Sequence, residues 1–263
     1  MNSGERGEYL IKLKLIEMRD NGVPFFGETI RSVGFGGNEY LPLPDDFSFM
    51  ERRNDDELTS ICHCLGIRKG STFDKSDVYI NGRGYSLKSL SAAPPALVNH
   101  TKRNGFEFAC TNVGMDIARL DGIVNRYWES RLSGQIKEDV PNTHPFSPFA
   151  MEQETLSPIL QYFLFTGSGS KVSEHPAEFL LEYRNPLDTE TWRKIDPDTA
   201  IDELWPYLFF SIRAKKGMPS NYHPDTYRGE NAESILRWTR FTSGDYRGAL
   251  HVRVRIPRPR RRT

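Results

Sequence analysis

The chain has 263 residues, with 35 lysines and arginines balanced by 35 aspartates and glutamates. This length is enough to bury a substantial core and suits a single α/β domain. A formal net charge of zero excludes the overall basic excess by which many proteins attract nucleic acid, so any basic surface must be local.

The first predicted element is a helix over residues 4–19, in which Ile11, Leu15 and Met18 recur at helical spacing. Glu8 precedes Ile11 by three residues and therefore falls on the same apolar stripe. A carboxylate that points inward is costly unless it is paired or bound to a metal ion. Two interpretations of Glu8 stay open, an inward functional carboxylate and a residue at the exposed end of the stripe.

A second helix is predicted over residues 55–65, after a segment of loops and short strands. It contains Cys62 and Cys64, two of three cysteines in the chain, which are too few for a disulfide framework. The run Cys62-His63-Cys64 lacks the spacing and the second ligand pair of a structural zinc site. No signal-like segment opens the chain and no run of eighteen residues is apolar, so we expect a reduced, cytoplasmic protein without a membrane span.

The strongest local signal is a hairpin between residues 76 and 88, where β-forming residues flank Asn81-Gly82. If Asn81-Gly82 is a two-residue turn, Asp77 faces Ser86 and shares one face of the hairpin with Ser86 and Lys88. The other face carries the apolar side chains of Val78, Ile80, Tyr85 and Leu87. The register therefore predicts a carboxylate and an ammonium group brought together by neighbouring strands.

The pair of Asp77 and Lys88 suits metal-assisted hydrolysis of a phosphodiester. Asp77 can hold Mg²⁺ together with the main-chain carbonyl of Leu87, while Lys88 polarises the attacking water and offsets charge on the phosphate. A plainer interpretation also stays open, because an Asp and a Lys on neighbouring strands of a hairpin can form an ordinary ion pair.

At these residues the sequence resembles the PD-(D/E)xK nucleases, and among them the type II restriction endonucleases. Asp77 takes the place of the first acid of the motif and Lys88 that of its lysine. Ser76 stands where Pro often stands, and Ser86 replaces the middle acid. Serine at that place resembles a subgroup whose second metal-binding carboxylate comes from another element, typically a helix.

The resemblance implies that a carboxylate outside the hairpin completes the metal site, with Glu8 as the first choice and Glu107 as the second. It also implies an Mg²⁺ cofactor and an α/β fold of the restriction-endonuclease type, a mixed sheet flanked by helices. The catalytic set would be Asp77, Lys88, Glu8 and Ser86. One nuclease domain would extend over residues 1–257, followed by a basic tail, residues 258–263, that we expect to be disordered.

A polar loop after the hairpin is predicted to contact the implied partner, double-stranded DNA. It combines bidentate side chains for base edges with groups that suit phosphates, and its candidates are Asn99, His100, Thr101, Lys102, Arg103 and Asn104. Further candidates are Lys215, Arg237 and Arg240. An ordinary solvated loop is the alternative. Short palindromic sites are usually bound by two-fold dimers, so by analogy we expect a homodimer.

The remaining elements are one clear helix, an apolar segment and several strands. The helix covers residues 116–132, and the apolar segment covers residues 156–165. The predicted strands are residues 106–113, 178–183, 207–215 and 249–256.

Two other functions stay open on the sequence alone. The missing middle acid favours a noncatalytic DNA-binding protein that keeps the same fold. The scaffold also serves repair-type nucleases, which would not cut plasmid DNA into discrete bands.

Overall fold

The computed structural model describes residues 1–49, 54–68, 70–71, 73–91, 96–212, 239–240, 246–247 and 249–255. Contacts divide the chain into two compact units, one of Met1–Ala93 with Val172–Thr199 and one of Pro94–Lys171 with Ala200–Thr263. The architecture is mixed α/β, with a mixed sheet and flanking helices. The single domain over residues 1–257 stays a prediction, because a division by contacts does not test independent folding.

Helices and strands alternate irregularly along the chain. The helices are α1 (Ser3–Asp20), α2 (Asp55–Cys64), α3 (Arg103–Asn112), α4 (Ile117–Leu132), α5 (Gln153–Gln161) and α6 (Pro197–Leu204), with a π-helical turn at Tyr162–Thr166 and 3-10 turns at Thr189–Thr191 and Trp205–Tyr207. The strands are β1 (Val33–Phe35), β2 (Asn38–Glu39), β3 (Val78–Ile80), β4 (Arg83–Ser89), β5 (Ala96–Lys102), β6 (Val140–Pro141), β7 (Phe179–Tyr183), β8 (Trp192–Ile195), β9 (Leu208–Ile212), β10 (Thr239–Arg240), β11 (Tyr246–Arg247) and β12 (Ala249–Val254).

Helix α1 begins with a capping box. The Asn2 side chain accepts a hydrogen bond from the Glu5 N–H at 2.9 Å, and the Glu5 carboxylate accepts one from the Asn2 N–H at 3.2 Å. These bonds satisfy N–H groups that have no partner within the helix. The predicted stripe of Ile11, Leu15 and Met18 is buried, which confirms the helical period.

The sheet of the first unit has the strand order β2-β1-β3-β4-β7-β8. All neighbouring strands are antiparallel except β4 and β7, which are parallel. A parallel pair needs a long crossover connection, and here the chain between β4 and β7 includes the segment Pro94–Lys171 of the second unit. The result is a mixed sheet with the hairpin β3–β4 at its centre.

The core of the first unit lies between α1, α2 and one face of this sheet. Apolar side chains from the helices pack in one cluster with side chains from the strands, and their burial supplies the main stabilisation of such a layered unit. The cluster includes Ile11, Leu15, Leu58, Val78, Ile80, Tyr85, Leu87, Leu181 and Tyr183.

The second unit contains an antiparallel sheet of strand order β5-β12-β9-β6 and a separate two-stranded antiparallel sheet of β10 and β11. Aromatic packing is close in its core, where the rings of Phe149 and Phe210 stack at 4.2 Å. The predicted helix over residues 116–132 is confirmed as α4, and the strands predicted at 178–183, 207–215 and 249–256 are confirmed in their described parts as β7, β9 and β12.

The strand predicted over residues 106–113 is wrong, because this segment belongs to α3. The alternation of Phe106 and Phe108 suggested a strand, but the buried residues are Gly105, Phe106, Ala109 and Cys110, which follow a helical period. The predicted loop over residues 99–104 is also wrong. Its first part is the end of β5, and its last two residues open α3.

All three cysteines carry free thiols. Within the described ranges, no helix combines the length and the apolar character needed to cross a bilayer. The basic tail, residues 258–263, lies outside the described residues.

Candidate functional site

The predicted hairpin is formed by β3 and β4 in the register that the sequence predicts. The partners are Val78 with Tyr85, Tyr79 with Gly84, and Ile80 with Arg83. Both turn residues have positive φ, 52° at Asn81 and 79° at Gly82, as a turn that matches the twist of the strands requires. Asn and Gly adopt this conformation more easily than other residues, so the local sequence fixes the register.

The Asn81 side chain ties this turn to the segment before β1. Its Oδ1 atom accepts hydrogen bonds from the N–H groups of Arg31 at 2.7 Å and Ser32 at 3.2 Å. Its Nδ2 group donates to the carbonyl of Thr29 at 2.8 Å. The turn therefore holds the hairpin against its neighbour in the sheet.

Asp77 lies at a β-bulge just before β3. Its N–H donates to the carbonyl of Tyr85 at 2.8 Å, although Tyr85 pairs with Val78 in the ladder, so two residues of one strand face one residue of the other. The ladder therefore does not continue to Asp77 and Ser86 as predicted. The Asp77 carboxylate still reaches β4, where its Oδ2 atom accepts the Leu87 N–H at 2.7 Å and lies 3.5 Å from the Ser86 hydroxyl.

Charges from α1 and β4 act on Asp77. Burial raises the pKa of its carboxyl group, the Lys88 ammonium lowers it, and the Glu8 carboxylate raises it. Burial and the positive charge of Lys88 lower the pKa of the nearby Lys75 to about 8, and the Asp77 carboxylate opposes this shift. The structure thus brings the predicted residues Glu8, Asp77 and Lys88 together within one unit. Strongly perturbed carboxyl and ammonium groups of this kind are common at functional sites.

Glu8 is partly buried and is paired within its own helix. The Nζ atom of Lys12 donates to Glu8 Oε1 at 2.5 Å and to the carbonyl of Arg68 at 3.4 Å. The Glu8 side chain is 20 % exposed, whereas that of Lys12 is 0 % exposed. Each of the two interpretations of Glu8 is therefore correct in part. Its carboxylate acts on Asp77, and part of its side chain is exposed to solvent.

Ser76 and Gly84 pack the bulge against the segment of His175 and Pro176. The buried Ser76 donates its N–H to the carbonyl of His175 at 2.9 Å and its hydroxyl to the carbonyl of Pro176 at 2.6 Å. A proline at this place, as the motif often has, would make neither bond. A Cβ atom on Gly84 would contact the Ser76 hydroxyl and lie 2.7 Å from the Pro176 carbonyl oxygen, so the packing requires glycine here.

Tyr40 contributes a buried hydroxyl to the surroundings of the two carboxylates. Burial raises the pKa of this group, and the charges of Glu8, Cys62 and Asp77 raise it further. The side chain is buried, and its Oη atom has no hydrogen-bond partner among the described residues. Buried hydroxyl groups are usually satisfied by protein or by ordered water, so this group suits an ordered water molecule.

Two carboxylates and a main-chain carbonyl are the groups that could hold a metal ion here. In the described ranges, no cluster of three or more His, Cys, Asp and Glu side chains is arranged to bind a metal. Mg²⁺, however, keeps several waters and is often held by only one or two carboxylates. The N–H and C=O of one strand residue point to the same side, so the Leu87 carbonyl is directed to the side on which its N–H meets Asp77. The oxygen donors of Glu8, Asp77 and Leu87 are of the chemical type that Mg²⁺ prefers.

No protein-family model, curated protein or solved structure matches this chain. Its function is therefore inferred from the side chains of the site itself.

The residues predicted to contact DNA belong to the second unit. Asn99, Lys102 and Asn104 are exposed. Arg103 instead forms a bidentate ion pair with the buried Asp121, with Nε 3.0 Å from Oδ1 and Nη2 2.8 Å from Oδ2. The Arg103 guanidinium group is thus bound within the protein, where it connects the start of α3 to α4.

For the other candidate residues, the structure describes only some of the side chains. Thr101 is half-buried on β5, and the His100 side chain is outside the description. Lys215, Arg237 and the Arg240 side chain also lie outside the described part of the chain, so their role stays a prediction. Glu107, the second choice as metal ligand, is an exposed residue of α3 whose Oε2 lies 3.5 Å from Arg103 Nη1.

Proposed function

We propose that this chain is a Mg²⁺-dependent nuclease that hydrolyses double-stranded DNA at a short specific sequence, as type II restriction endonucleases do. The observation that carries the proposal is the convergence of Glu8 and Lys88 on the partly buried Asp77, whose carboxylate also accepts the Leu87 N–H at 2.7 Å. An ordinary ion pair on the surface of a hairpin would not need the hydrogen bond from the Leu87 N–H to the Asp77 carboxylate. It would also need no carboxylate from α1.

Each residue has its own task in this proposal. Glu8, Asp77 and the Leu87 carbonyl would hold Mg²⁺, which supplies charge for the scissile phosphate and acidifies a bound water. Lys88 orients the attacking water and offsets the negative charge that develops on the phosphate. Ser86, whose hydroxyl lies 3.5 Å from Asp77 Oδ2, orients the Asp77 carboxylate in place of the missing acid.

The topology of the first unit supports the same proposal. An N-terminal helix precedes the antiparallel hairpin β3–β4, and β7 lies parallel to the strand that carries Lys88. A mixed sheet of this kind, flanked by helices, is the architecture that the resemblance to restriction endonucleases implies. The proposed site lies where α1 contacts β4 of this hairpin.

DNA contacts are proposed for exposed residues of β5 and α3. Asn99 can form a bidentate pair with a base edge, and Lys102 suits a phosphate group. Arg103 is assigned to the stability of α3 rather than to base recognition, because Asp121 holds its guanidinium group. A homodimer is proposed because two-fold symmetry would match a palindromic site.

Digestion of unmethylated plasmid DNA tests the proposal. Discrete fragments that form in MgCl₂ and are absent in EDTA are the expected result. A smear would indicate a nuclease without sequence specificity, such as a repair-type enzyme. Intact plasmid in both MgCl₂ and MnCl₂ would contradict nuclease activity.

One observation favours a second function, DNA binding without cleavage. Ser86 replaces an acid, and Glu8 is already paired with Lys12, so fewer carboxylates are available to a metal ion than the motif ordinarily supplies. A crystal soaked in MnCl₂ separates the two functions. Metal density between Asp77 and the Leu87 carbonyl supports the nuclease. Absence of this density at a saturating MnCl₂ concentration supports DNA binding without cleavage.

A further inference from the structure

Lys12 is a fully buried lysine that no step of the proposed mechanism uses. Its side chain is 0 % exposed, and its ammonium group contacts Glu8 at 2.5 Å and the Arg68 carbonyl at 3.4 Å. Enclosing an ammonium group is costly unless a carboxylate and further acceptors compensate. This cation is therefore held in place by the fold, in contact with a carboxylate of the candidate site.

Glu8, in contrast, is accessible from solvent. It lines a cavity of about 250 Å³ whose other lining residues are Met1, Glu5, Tyr9 and Thr59. The lining also contains the carboxylate of Glu5, while the Met1 ammonium group in it is paired with Asp55 at 3.1 Å. A hydrated cation can thus reach Glu8 through the cavity while Lys12 stays enclosed.

Lys12 also acts on the other carboxylate of the site. Its positive charge stabilises the charged form of Asp77, which the Glu8 carboxylate opposes. Two carboxylates that repel each other would be unfavourable in this partly dry environment without a nearby cation. Lys12 supplies one positive charge for this purpose, and a divalent cation would supply two.

We propose that Lys12 is a positioning residue, a fixed counter-ion that orients and neutralises Glu8 while no divalent cation is bound. The inference rests on the proposed function, in which Glu8 and Asp77 hold the metal. A bound divalent cation takes over the neutralisation, and Lys12 then repels that cation. Lys12 thus keeps the fold independent of metal and lowers the metal affinity of the site.

Thermal unfolding of four proteins in EDTA and in MgCl₂ tests this inference. They are the wild type, Lys12→Met, Lys14→Met and the double variant Glu8→Gln with Lys12→Met. Methionine keeps the length of the lysine side chain and removes its charge. Lys14 is the matched control, because it pairs with Glu17 on the same helix and keeps 24 % of its side chain exposed.

Lys12→Met is expected to unfold at a lower temperature than the wild type in EDTA. Its midpoint should rise by about 4 °C or more in MgCl₂, since binding to the native state alone stabilises it. The wild type and Lys14→Met should show a smaller rise. The double variant should unfold above Lys12→Met in EDTA and should lose the response to Mg²⁺. Equal responses of Lys12→Met and the wild type would overturn the inference, as would a double variant that responds like Lys12→Met.

If Lys12→Met does not fold in EDTA, the inference can still be tested. Recovery of cooperative unfolding by MgCl₂, or by the added Glu8→Gln change, supports the counter-ion role. A double variant that also fails to fold would show that Lys12 is needed for packing, which overturns the inference. The nuclease proposal fails separately, through a wild type that cuts no DNA, and the Mg²⁺ response of Lys12→Met is measured without DNA.

Discussion

At the scale of residues, the fold opposes the charged form of Asp77. Burial raises the pKa of its carboxyl group, and the opposing effects of Lys88 and of the Leu87 N–H do not cancel that rise. A folded state that disfavours the charged form loses stability near neutral pH, where the unfolded chain keeps Asp77 ionised. Such a penalty is typical of groups retained for function rather than for stability.

Substitutions at Asp77 should separate its charge from its hydrogen bond. Asp77→Asn is expected to have a higher free energy of unfolding than the wild type in EDTA, because the charge is gone and the Leu87 N–H keeps an acceptor. Asp77→Ala should be less stable than Asp77→Asn by about 1 to 3 kcal/mol, the usual cost of an unsatisfied enclosed donor. Urea unfolding at neutral pH measures both differences. Equal stability of the two variants would contradict the hydrogen bond.

Removing the Glu8 carboxylate should destabilise the fold, because the Lys12 ammonium stays enclosed without its partner. We expect Glu8→Gln to lose about 3 kcal/mol of unfolding free energy in EDTA, as other broken buried pairs do. Glu17→Gln is the control, since its partner Lys14 is partly exposed and the loss should stay below about 1 kcal/mol. Similar losses in the two variants would show that Lys12 is not an enclosed charge.

Local sequence signals are sufficient to predict Glu8, Asp77 and Lys88 as candidates, through helical spacing and hairpin register. Lys12 is not predicted, because lysines are almost always solvent-exposed. Its spacing of four residues from Glu8 was the one available signal. The bulge at Asp77 is not predicted either, since it depends on which carbonyl of β4 accepts the Asp77 N–H.

At the scale of elements, the position of Glu8 depends on how closely α1 packs on β7. Gly7 precedes Glu8, and a Cβ atom there would contact the Tyr183 hydroxyl and lie 3.1 Å from two ring carbons of Tyr183. Tyr183 is buried, so its ring has little room to move. The helix can therefore approach the sheet at this point only with glycine.

Gly7→Ala tests this close approach. Alanine favours a helix over glycine by about 1 kcal/mol, but here the clash with Tyr183 should reverse the sign and cost about 1 to 3 kcal/mol. Gly122→Ala in α4 is the control, because the nearest atom to an added Cβ is Arg126 Nη1 at 3.9 Å. Urea unfolding should show a loss for Gly7→Ala and a gain for Gly122→Ala. A gain in both would mean that α1 does not pack tightly on Tyr183.

Elements fixed by local interactions are the ones that the sequence predicts well. The turn at Asn81 and Gly82 sets the hairpin within a few residues, and α1 follows from one apolar stripe. The start of α3 is different, because Arg103 is held there by Asp121 of α4. This contact between two helices leaves no pattern in the segment itself. The alternation of Phe106 and Phe108 also obscures the helical period of the buried residues, so the sequence predicts a strand where a helix forms.

At the scale of the whole molecule, the parallel pair of β4 and β7 organises the sheet of the first unit. The two strands are separated in sequence by Pro94–Lys171, which belongs to the other unit. Their pairing depends on interactions between distant segments, so neither its direction nor its register follows from local spacing. The zero net charge likewise leaves DNA affinity to the local arrangement of basic residues.

Thiol reactivity tests the packing of both units in one experiment. Burial raises the pKa of Cys62 in the first unit and of Cys110 in the second to about 12, so their reactive thiolates are scarce near pH 8. Cys64 is exposed. Ellman's reagent should therefore modify one thiol rapidly in the native protein and all three in guanidinium chloride. Rapid modification of two or three native thiols would contradict the packing.

Cleavage by charge-removing variants is the most direct test of the proposed site. The wild type, Asp77→Asn, Lys88→Met and Lys194→Met are incubated with unmethylated plasmid in MgCl₂, and DNA binding is measured in CaCl₂ to verify intact recognition. Lys194 is the control, a lysine of the same sheet whose ammonium lies 4.6 Å from the centre of the Phe179 ring. Asp77→Asn and Lys88→Met should lose about 100-fold or more of the cleavage rate while binding persists, and Lys194→Met should cut like the wild type. Near-normal cleavage by Asp77→Asn or Lys88→Met would contradict the assignment of these residues to catalysis.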